Sequence, residues 1–259
     1  MSVVKVATLN LRGRHDRWLQ RRGLIVAELL TAQPDLFSMQ EIYRPFGQAR
    51  WLRNQVNVRL SGSPKRPYRL IQKPLTNLIR GRFEAIGILT KLPVISVDSV
   101  SLGYGGRIAL RANVELPSRE TLDFLAIHLH PVTLDREVRT EQVLRLTGWL
   151  KSHNSAPFQV LAGDFNEVPA GPAITLMKQS YRSALFEFRG HEPLATYPTA
   201  LVKRQDDWSG CIDYIFISNA VPEVLQAEVF CKKPDPNDPT LYPSDHIGLL
   251  ATLSLGRQI

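Results

Sequence analysis

The 259-residue sequence predicts an α/β fold in one domain spanning residues 1–259. In the first third, strand-length apolar runs alternate with helical periodicity. The middle is a succession of strand runs, one of them with clear period-two alternation. No repeat of fixed period, low-complexity tract or linker divides the chain.

Taken in order, VVKVATL at 3–9 is a short apolar strand that ends at Asn10. The basic, glycine-containing LRGRHDRWLQRR leads into a helix over roughly 18–32, with Leu19, Ile25, Ala27, Leu29 and Leu30 on a broad apolar face. Gln33-Pro34 stops it. A second strand, Leu36 to Met39, runs out at Gln40 and Glu41, and residues 46–58 form a second helix. SGSPKRP at 61–67 is a basic loop. Strands follow at 68–72, 84–91, 93–100, 107–116 and 122–130. In RIALRANVEL, apolar Ile108, Leu110, Ala112 and Val114 alternate with their neighbours, as in a half-buried antiparallel strand. A helix over about 135–151 groups Val143, Leu146 and Leu150, with Asp135–Arg139 and Glu141–Arg145 spaced for pairing. The apolar run Phe158 to Ala162 is a buried strand broken by Gly163. A short helix near 170–179, a loop-rich 181–210, and strands at 211–218 and 247–255 complete the chain.

With 44% hydrophobic and 22% charged residues, the chain has the composition of a globular protein with a sizeable core. No apolar stretch approaches the ~20 residues that span a bilayer. MSVVKVATLN lacks a signal-peptide pattern and reads as a first strand. Cys211 and Cys231 are too few for a disulfide framework and lack metal-binding spacing, so a reduced, cytoplasmic enzyme is expected. The net charge of +8 is uneven. Residues 1–91 hold 17 Lys/Arg against 5 Asp/Glu, a balance of +12; residues 92–259 hold 15 against 19, a balance of −4. That asymmetry suits a polyanionic partner and equally suits a solvated basic surface.

Six polar clusters share one feature: each lies at the start or end of an apolar strand. They are Asn10, Glu41, His128 with His130, Asp164 with Asn166, Asp213, and Asp245 with His246. Singly, each has a plain explanation, and an isolated D-x-N is most simply an Asx turn. If strand alternation survives to residue 166, Asp164 and Asn166 point the same way. Together the six fit a polar site gathered at one rim of a sheet. The set suits phosphoester hydrolysis. Glu41 offers a hard oxygen to Mg²⁺. His246, if paired with Asp213 through its other ring nitrogen, has its tautomer fixed and its cation favoured. Asp164 can orient or deprotonate a water, while Asn166 and His128 hold phosphoryl oxygens.

TLN at 8–10, MQE at 39–41, IGILTKLPV at 86–94, IHLH at 127–130, GDFN at 163–166, IDYIFIS at 212–218 and SDH at 244–246 resemble the endonuclease/exonuclease/phosphatase superfamily. They occur in family order and cover almost the whole chain. The resemblance implies a four-layer α/β/β/α sandwich of two facing mixed β-sheets with helices on the outside. It implies Mg²⁺, which Mn²⁺ can replace, held by Glu41 with Asn10 beside it and Asp245 as a metal-side or supporting carboxylate. It makes Asp164 the water-activating group, Asn166 and His128 phosphate contacts, and His246 the catalytic histidine oriented by Asp213. One position departs from the abasic-site endonucleases, which carry an acidic residue where this chain has Arg12.

Three functions fit the resemblance: a nuclease or nucleotide phosphodiesterase, a phosphatase or phosphodiesterase on a small molecule, inositol phosphate or lipid headgroup, and a non-catalytic phosphate-binding module. The basic first third favours a nucleic acid or nucleotide, acted on by a monomer. Arg12, Arg14, Arg17, Arg21 and Arg22 follow a site strand and can reach flanking phosphates, Arg12 and Arg14 first. Trp18 and Tyr104 can stack on bases, although Trp18 also fits a core anchor and Tyr104 a turn. No obvious hydrophobic loop marks a membrane-docking surface.

Overall fold

The computed structural model describes residues 1–62, 66–131, 136–153, 155–203 and 208–256. Its elements are β1 (Ser2–Asn10), α1 (Trp18–Ala32), β2 (Leu36–Tyr43), α2 (Gln48–Leu60), β3 (Arg69–Pro74), β4 (Glu84–Thr90), β5 (Val94–Ser101), β6 (Ile108–Glu115), β7 (Thr121–His128) and α3 (Arg136–Ser152). They continue with β8 (Phe158–Asp164), α4 (Pro172–Met177), β9 (Tyr181–Ser183), α5 (Ala184–Arg189), β10 (Asp213–Ser218), β11 (Glu223–Phe230) and β12 (Gly248–Leu255).

The strands form two six-stranded sheets, ordered β11-β12-β1-β2-β4-β3 and β5-β6-β7-β8-β10-β9. Each is mixed: β1 pairs parallel with β2 and β7 parallel with β8, whereas the other pairings are antiparallel. Three apolar layers hold the assembly. Between the sheets, Val4, Val6, Leu36 and Ile88 meet Leu110, Phe124, Ala126, Val160 and Ile215. Outside the first sheet, Ile25 and Leu29 of α1 and Leu52 and Val56 of α2 cover Leu9, Phe37 and Met39. Outside the second, Val143 and Leu146 of α3 with Ile174 and Met177 of α4 cover Leu125, Ile127, Leu161 and Phe216. This is the expected four-layer sandwich. Both faces of the central strands are therefore apolar, which produces their nearly continuous hydrophobic runs.

The inward-facing row of each central strand changes character toward one end. In β1 it reads Val4, Val6, Thr8, Asn10; in β2 Leu36, Ser38, Gln40; in β7 Phe124, Ala126, His128; in β8 Val160, Ala162, Asp164. In β10, which runs antiparallel to β8, it reads Ile217, Ile215, Asp213. All five polar ends reach one rim, because the strand directions and registers bring them there.

Several elements differ from the sequence expectation. Gly163 does not break β8: it pairs with Ile127 in the sheet, and a Cβ there would lie 1.9 Å from the Ile127 carbonyl oxygen. The glycine permits a close strand approach. β2 continues past Glu41 to Tyr43 through a bulge between Met39 and Ile42. β6 is buried on both faces, because Arg111 and Asn113 are neutralised and hydrogen-bonded by the buried Asp123 (2.9 and 2.7 Å). On α1, Leu19 and Ala27 face outward and Trp18, Arg21 and Val26 take the buried stripe. The region 181–210 contains β9 and α5, and β11 escaped detection although VPEVLQAEVF spaces Val224 and Ala227 toward the core. A bulge between Val224 and Gln226 interrupts its alternation. The expected Glu141–Arg145 pair is replaced by Arg145 lying against Gly103. Asp135, with its expected pair to Arg139, lies outside the described residues, as do 63–65 of the basic loop. Arg139 instead bonds Glu167 at 3.0 Å. Among the described residues, no helix is long and apolar enough to cross a membrane.

Candidate active site

The polar rim converges on Asp164, which is 2% exposed. One oxygen, Oδ1, accepts the backbone N–H of Asn166 at 2.9 Å. The other, Oδ2, accepts the Asn10 amide at 3.0 Å and lies 3.5 Å from His128 Nε2 and 3.9 Å from His246 Nε2. Residues from β1, β7 and the segment before β12 thus meet on one carboxylate oxygen. Burial and the neighbouring Asp213 raise the Asp164 pKa to about 7, against the pull of His246, Asn10 and the Asn166 N–H.

His246 Nδ1 lies 2.8 Å from Asp213 Oδ2. Burial disfavours the imidazolium, but Asp213 and Asp164 together raise its pKa well above the usual histidine value. His246 is therefore held cationic, with Nε2–H turned toward Asp164. Asp213 is steadied from behind, since Thr196 Oγ1 accepts the backbone N–H groups of Ile212 and Asp213 (3.0 and 3.2 Å). The Tyr197 ring packs on the His246 ring at 4.8 Å between centroids.

Glu41 reaches the rim by a backbone device. Alternation along β2 would send residue 41 toward the helices, but the bulge and its left-handed φ of 52° turn it inward. Asn10 Nδ2 then donates to Glu41 Oε1 at 3.2 Å. The Asn10 oxygen accepts the Arg12 N–H at 2.9 Å, where Arg12 has φ 57°. Asn10 consequently bridges Glu41 and Asp164 with its N–H groups, and its oxygen, with one bond accepted from Arg12, keeps a second lone pair.

Asp245 is 1% exposed, and burial raises its pKa. Its Oδ2 has no hydrogen-bond partner and lies 3.2 Å from Arg12 Nε. The unsatisfied oxygens of Asp245 and Asp213, with Glu41 nearby, make a donor set of hard carboxylates that fits a divalent cation. Among the described residues, possible ligand atoms of Asp164, Asp213 and His246 lie within 4.8 Å of one another. Within that grouping His246 Nδ1 and Asp213 Oδ2 already face each other at 2.8 Å, and Glu41 lies close enough to Asp245 to help raise its pKa. A cation there would offset negative charge on a phosphoryl group.

Asn166 does not continue the strand. Its φ of 52° places it in an Asx turn on Asp164, and its amide donates to Leu129 O at 3.2 Å. It stays beside the site, 7% exposed, by turn geometry and not by alternation. Arg12 Nε lies between Asp16 (2.8 Å) and Asp245 (3.2 Å). Arg17 binds Asp238 at 2.7 Å, and Arg22 lies over Trp51. Arg21 is fully buried, donating to the carbonyls of Asp16, Gly13, His15 and Pro243; burial lowers its pKa to about 10. It fastens the β1–α1 loop. Arg14 extends over the Tyr43 ring at 5.2 Å, at the mouth of the site. Trp18 is buried and Tyr104 packs edge-on against His130.

Two residues of the site went unnoticed in the sequence, Arg107 and Glu84. Arg107 Nη1 lies 2.7 Å from His128 Nδ1 and 3.1 Å from Glu84 Oε1. Burial and Arg107 lower the His128 pKa well below its usual value. Both residues adjoin strand starts, the same signal that marked the other six clusters.

A search of curated proteins returns no match. Solved structures share the fold at low sequence identity. The endonuclease/exonuclease/phosphatase from Bacteroides vulgatus is 19% identical, with TM-score 0.75, covering 99% of this chain and 100% of that one. The human Nocturnin catalytic domain with bound sulfate is 19% identical, with TM-score 0.78, covering 98% and 94%. A humanized D. rerio TDP2 is 17% identical, with TM-score 0.76, covering 98% and 100%. The model of the Endonuclease/Exonuclease/phosphatase family matches residues 7–246, which takes in every site residue named above. The chain belongs to that family of phosphoester hydrolases, whose members typically depend on a divalent metal.

Proposed function

We propose that this chain is a single-domain, cytoplasmic, monomeric phosphodiesterase that uses Mg²⁺ or Mn²⁺ to cleave nucleic acid or nucleotide phosphodiesters with an activated water. The observation that carries this is the convergence of Asn10, His128 and His246 on Asp164 Oδ2, with Asp213 2.8 Å behind His246. Asp164, its pKa raised, takes the proton of the attacking water. His246, kept cationic by Asp213, stabilises charge growing on the phosphoryl oxygens, and His128 donates from Nε2 to the same group. Asn166 and Arg14 contact substrate phosphate oxygens. Glu41, supported by Asp245, would hold the cation, which would supply positive charge to offset the negative charge developing on the phosphoryl group.

Hydrolysis of a lipid headgroup is the second reading, and one observation favours it. Leu78 and Ile79 are 87% and 75% exposed on the turn before β4, next to Arg80 and Arg82. The sequence had suggested no such apolar tip.

The test is a hydrolysis screen with Mg²⁺ or Mn²⁺ of wild type against Asp164→Ala. Its substrates are single-stranded DNA, RNA, duplex DNA, bis-p-nitrophenyl phosphate, inositol phosphates and sphingomyelin vesicles. Polynucleotide cleavage lost in the variant is the expected result. Turnover confined to vesicles moves the assignment to the second reading. No turnover of any substrate, with phosphate ligands still bound, leaves a non-catalytic phosphate-binding module.

A further inference from the structure

We infer that the cavity on the outer side of Glu41 is a stacking subsite for a planar ring one phosphate away from the reaction, here the nucleobase flanking the scissile bond. The inference rests on the phosphodiesterase reading above and names the substrate group that the site recognises.

The cavity has a volume of about 270 Å³ and is lined by Arg14, His15, Glu41, Tyr43, Phe83 and Glu84, among others. Two segments build its aromatic wall. EIYRPF carries Tyr43 out of β2 two residues after Glu41, and GRF brings Phe83 in directly before β4. The Tyr43 and Phe83 rings are parallel within 8°, their centroids 6.4 Å apart. Phe46 meets Tyr43 edge-on at 4.9 Å, and the Arg14 guanidinium lies over the Tyr43 face. Phe83, in the cavity lining, remains 48% exposed, so flat apolar area stays open beside a polar site. Aromatic faces of this kind bind bases of any sequence by stacking, and arginine adds a cation–π contribution.

The wall is held in place before any ligand arrives. The Arg44 backbone N–H donates to Phe83 O at 2.8 Å, and the Arg44 guanidinium donates to Gly81 O. The Phe83 N–H closes a turn onto Arg80 O at 2.9 Å. A Cβ at Gly81 would lie 2.2 Å from the Leu75 carbonyl oxygen, so the turn packs at glycine-only distance. A ring so braced costs little entropy to use.

Contacts link the cavity to the reacting centre. Glu41 lines it and touches Asn10, which touches Asp164 (3.2 and 3.0 Å). Glu84 lines it and touches Arg107, which touches His128 (3.1 and 2.7 Å). A phosphate at Asp164 and His128 therefore has the ring wall within the reach of one nucleotide. Trp18 is buried, and Tyr104, 62% exposed, packs edge-on against His130.

The probes are adenosine 5′-monophosphate, phenyl phosphate and ribose 5-phosphate, titrated with Mg²⁺ by calorimetry into wild type, Phe83→Ala, Phe83→Trp and Tyr43→Ala. Wild type is expected to bind adenosine 5′-monophosphate at least about tenfold more tightly than ribose 5-phosphate. Phe83→Ala and Tyr43→Ala should erase most of that preference, and Phe83→Trp should keep it. A preference for phenyl phosphate as large as that for the nucleotide supports the subsite with an aryl ester as its ligand. Equal affinity of wild type for ribose 5-phosphate and the two ring-bearing probes overturns the subsite, as does absence of binding by all three. Hydrolysis of bis-p-nitrophenyl phosphate by the same preparations separates the two failures. Turnover without ring preference removes only the subsite, whereas ring preference without turnover removes only the catalytic reading.

Discussion

Arg107 and His128, 21 residues apart, share one hydrogen bond in the interior: guanidinium Nη1 to imidazole Nδ1 at 2.7 Å. A guanidinium can only donate, so His128 must accept at Nδ1 and carry its proton on Nε2. That nitrogen is the one facing Asp164. Arg107 is thus a positioning residue, and it fixes His128 as a neutral donor while Asp213 fixes His246 as a cationic one.

Arg107→Met should lower kcat by roughly tenfold or more with a small change in KM, because His128 is then free to take the wrong tautomer. Steady-state kinetics on whichever phosphodiester the screen identifies checks this. An equal loss in an Arg107→Met/His128→Asn double variant and in His128→Asn alone would show that the two act together.

Asp213→Asn should lower turnover by about 10²–10⁴-fold while leaving the fold intact. Removing the carboxylate that raises the His246 pKa also lowers that pKa. The alkaline limb of the pH–rate profile should therefore move to lower pH in the variant. Near-normal turnover, or an unmoved limb, would sink the pairing.

The two histidines should have opposite effects on stability as pH changes. The folded-state pKa of His128 is depressed, so its folded form binds fewer protons, and stability is lost as pH falls below about 6.5. That of His246 is raised, so its contribution is full below about 6.5 and is lost as pH rises through the folded-state value. Thermal melts across pH 5–9 should show a flatter acid side in His128→Gln and a flatter alkaline side in His246→Gln.

Gly163→Ala should destabilise the protein by about 3 kcal/mol, because the added methyl meets the Ile127 backbone 1.9 Å away and backbone cannot swing aside. Urea unfolding midpoints measure it. A change under about 0.5 kcal/mol, typical of surface sites, would contradict the register of β7 on β8.

Charge reversal separates the arginines. Arg14→Glu should flatten the salt dependence of polynucleotide binding by about one ion in slope. Arg17→Glu should change it less, since Arg17 is already neutralised by Asp238 at 2.7 Å. Equal effects would mean that both arginines meet the substrate.

Local sequence was enough for the major helices and for the strands other than β9 and β11, because burial on both sheet faces writes long apolar runs and amphipathic helices write a periodic stripe. It was also enough to mark Asn10, His128, Asp164 and Asp213, because each puts a polar group where an inward-facing row should stay apolar, and His246, because it directly precedes the last apolar strand. Tertiary structure decided what each group touches. Glu41 and Asn166 face the site through left-handed backbone turns that break the alternation a sequence reader relies on. Asn10 and Arg12 turned out to be bound to neighbours, and pairing depends on atoms brought together by sheet register. Arg107 carries only the strand-start signal and the Tyr43–Phe83 wall none, because their meaning lies in partners 21 and 40 residues away that only the folded chain brings together.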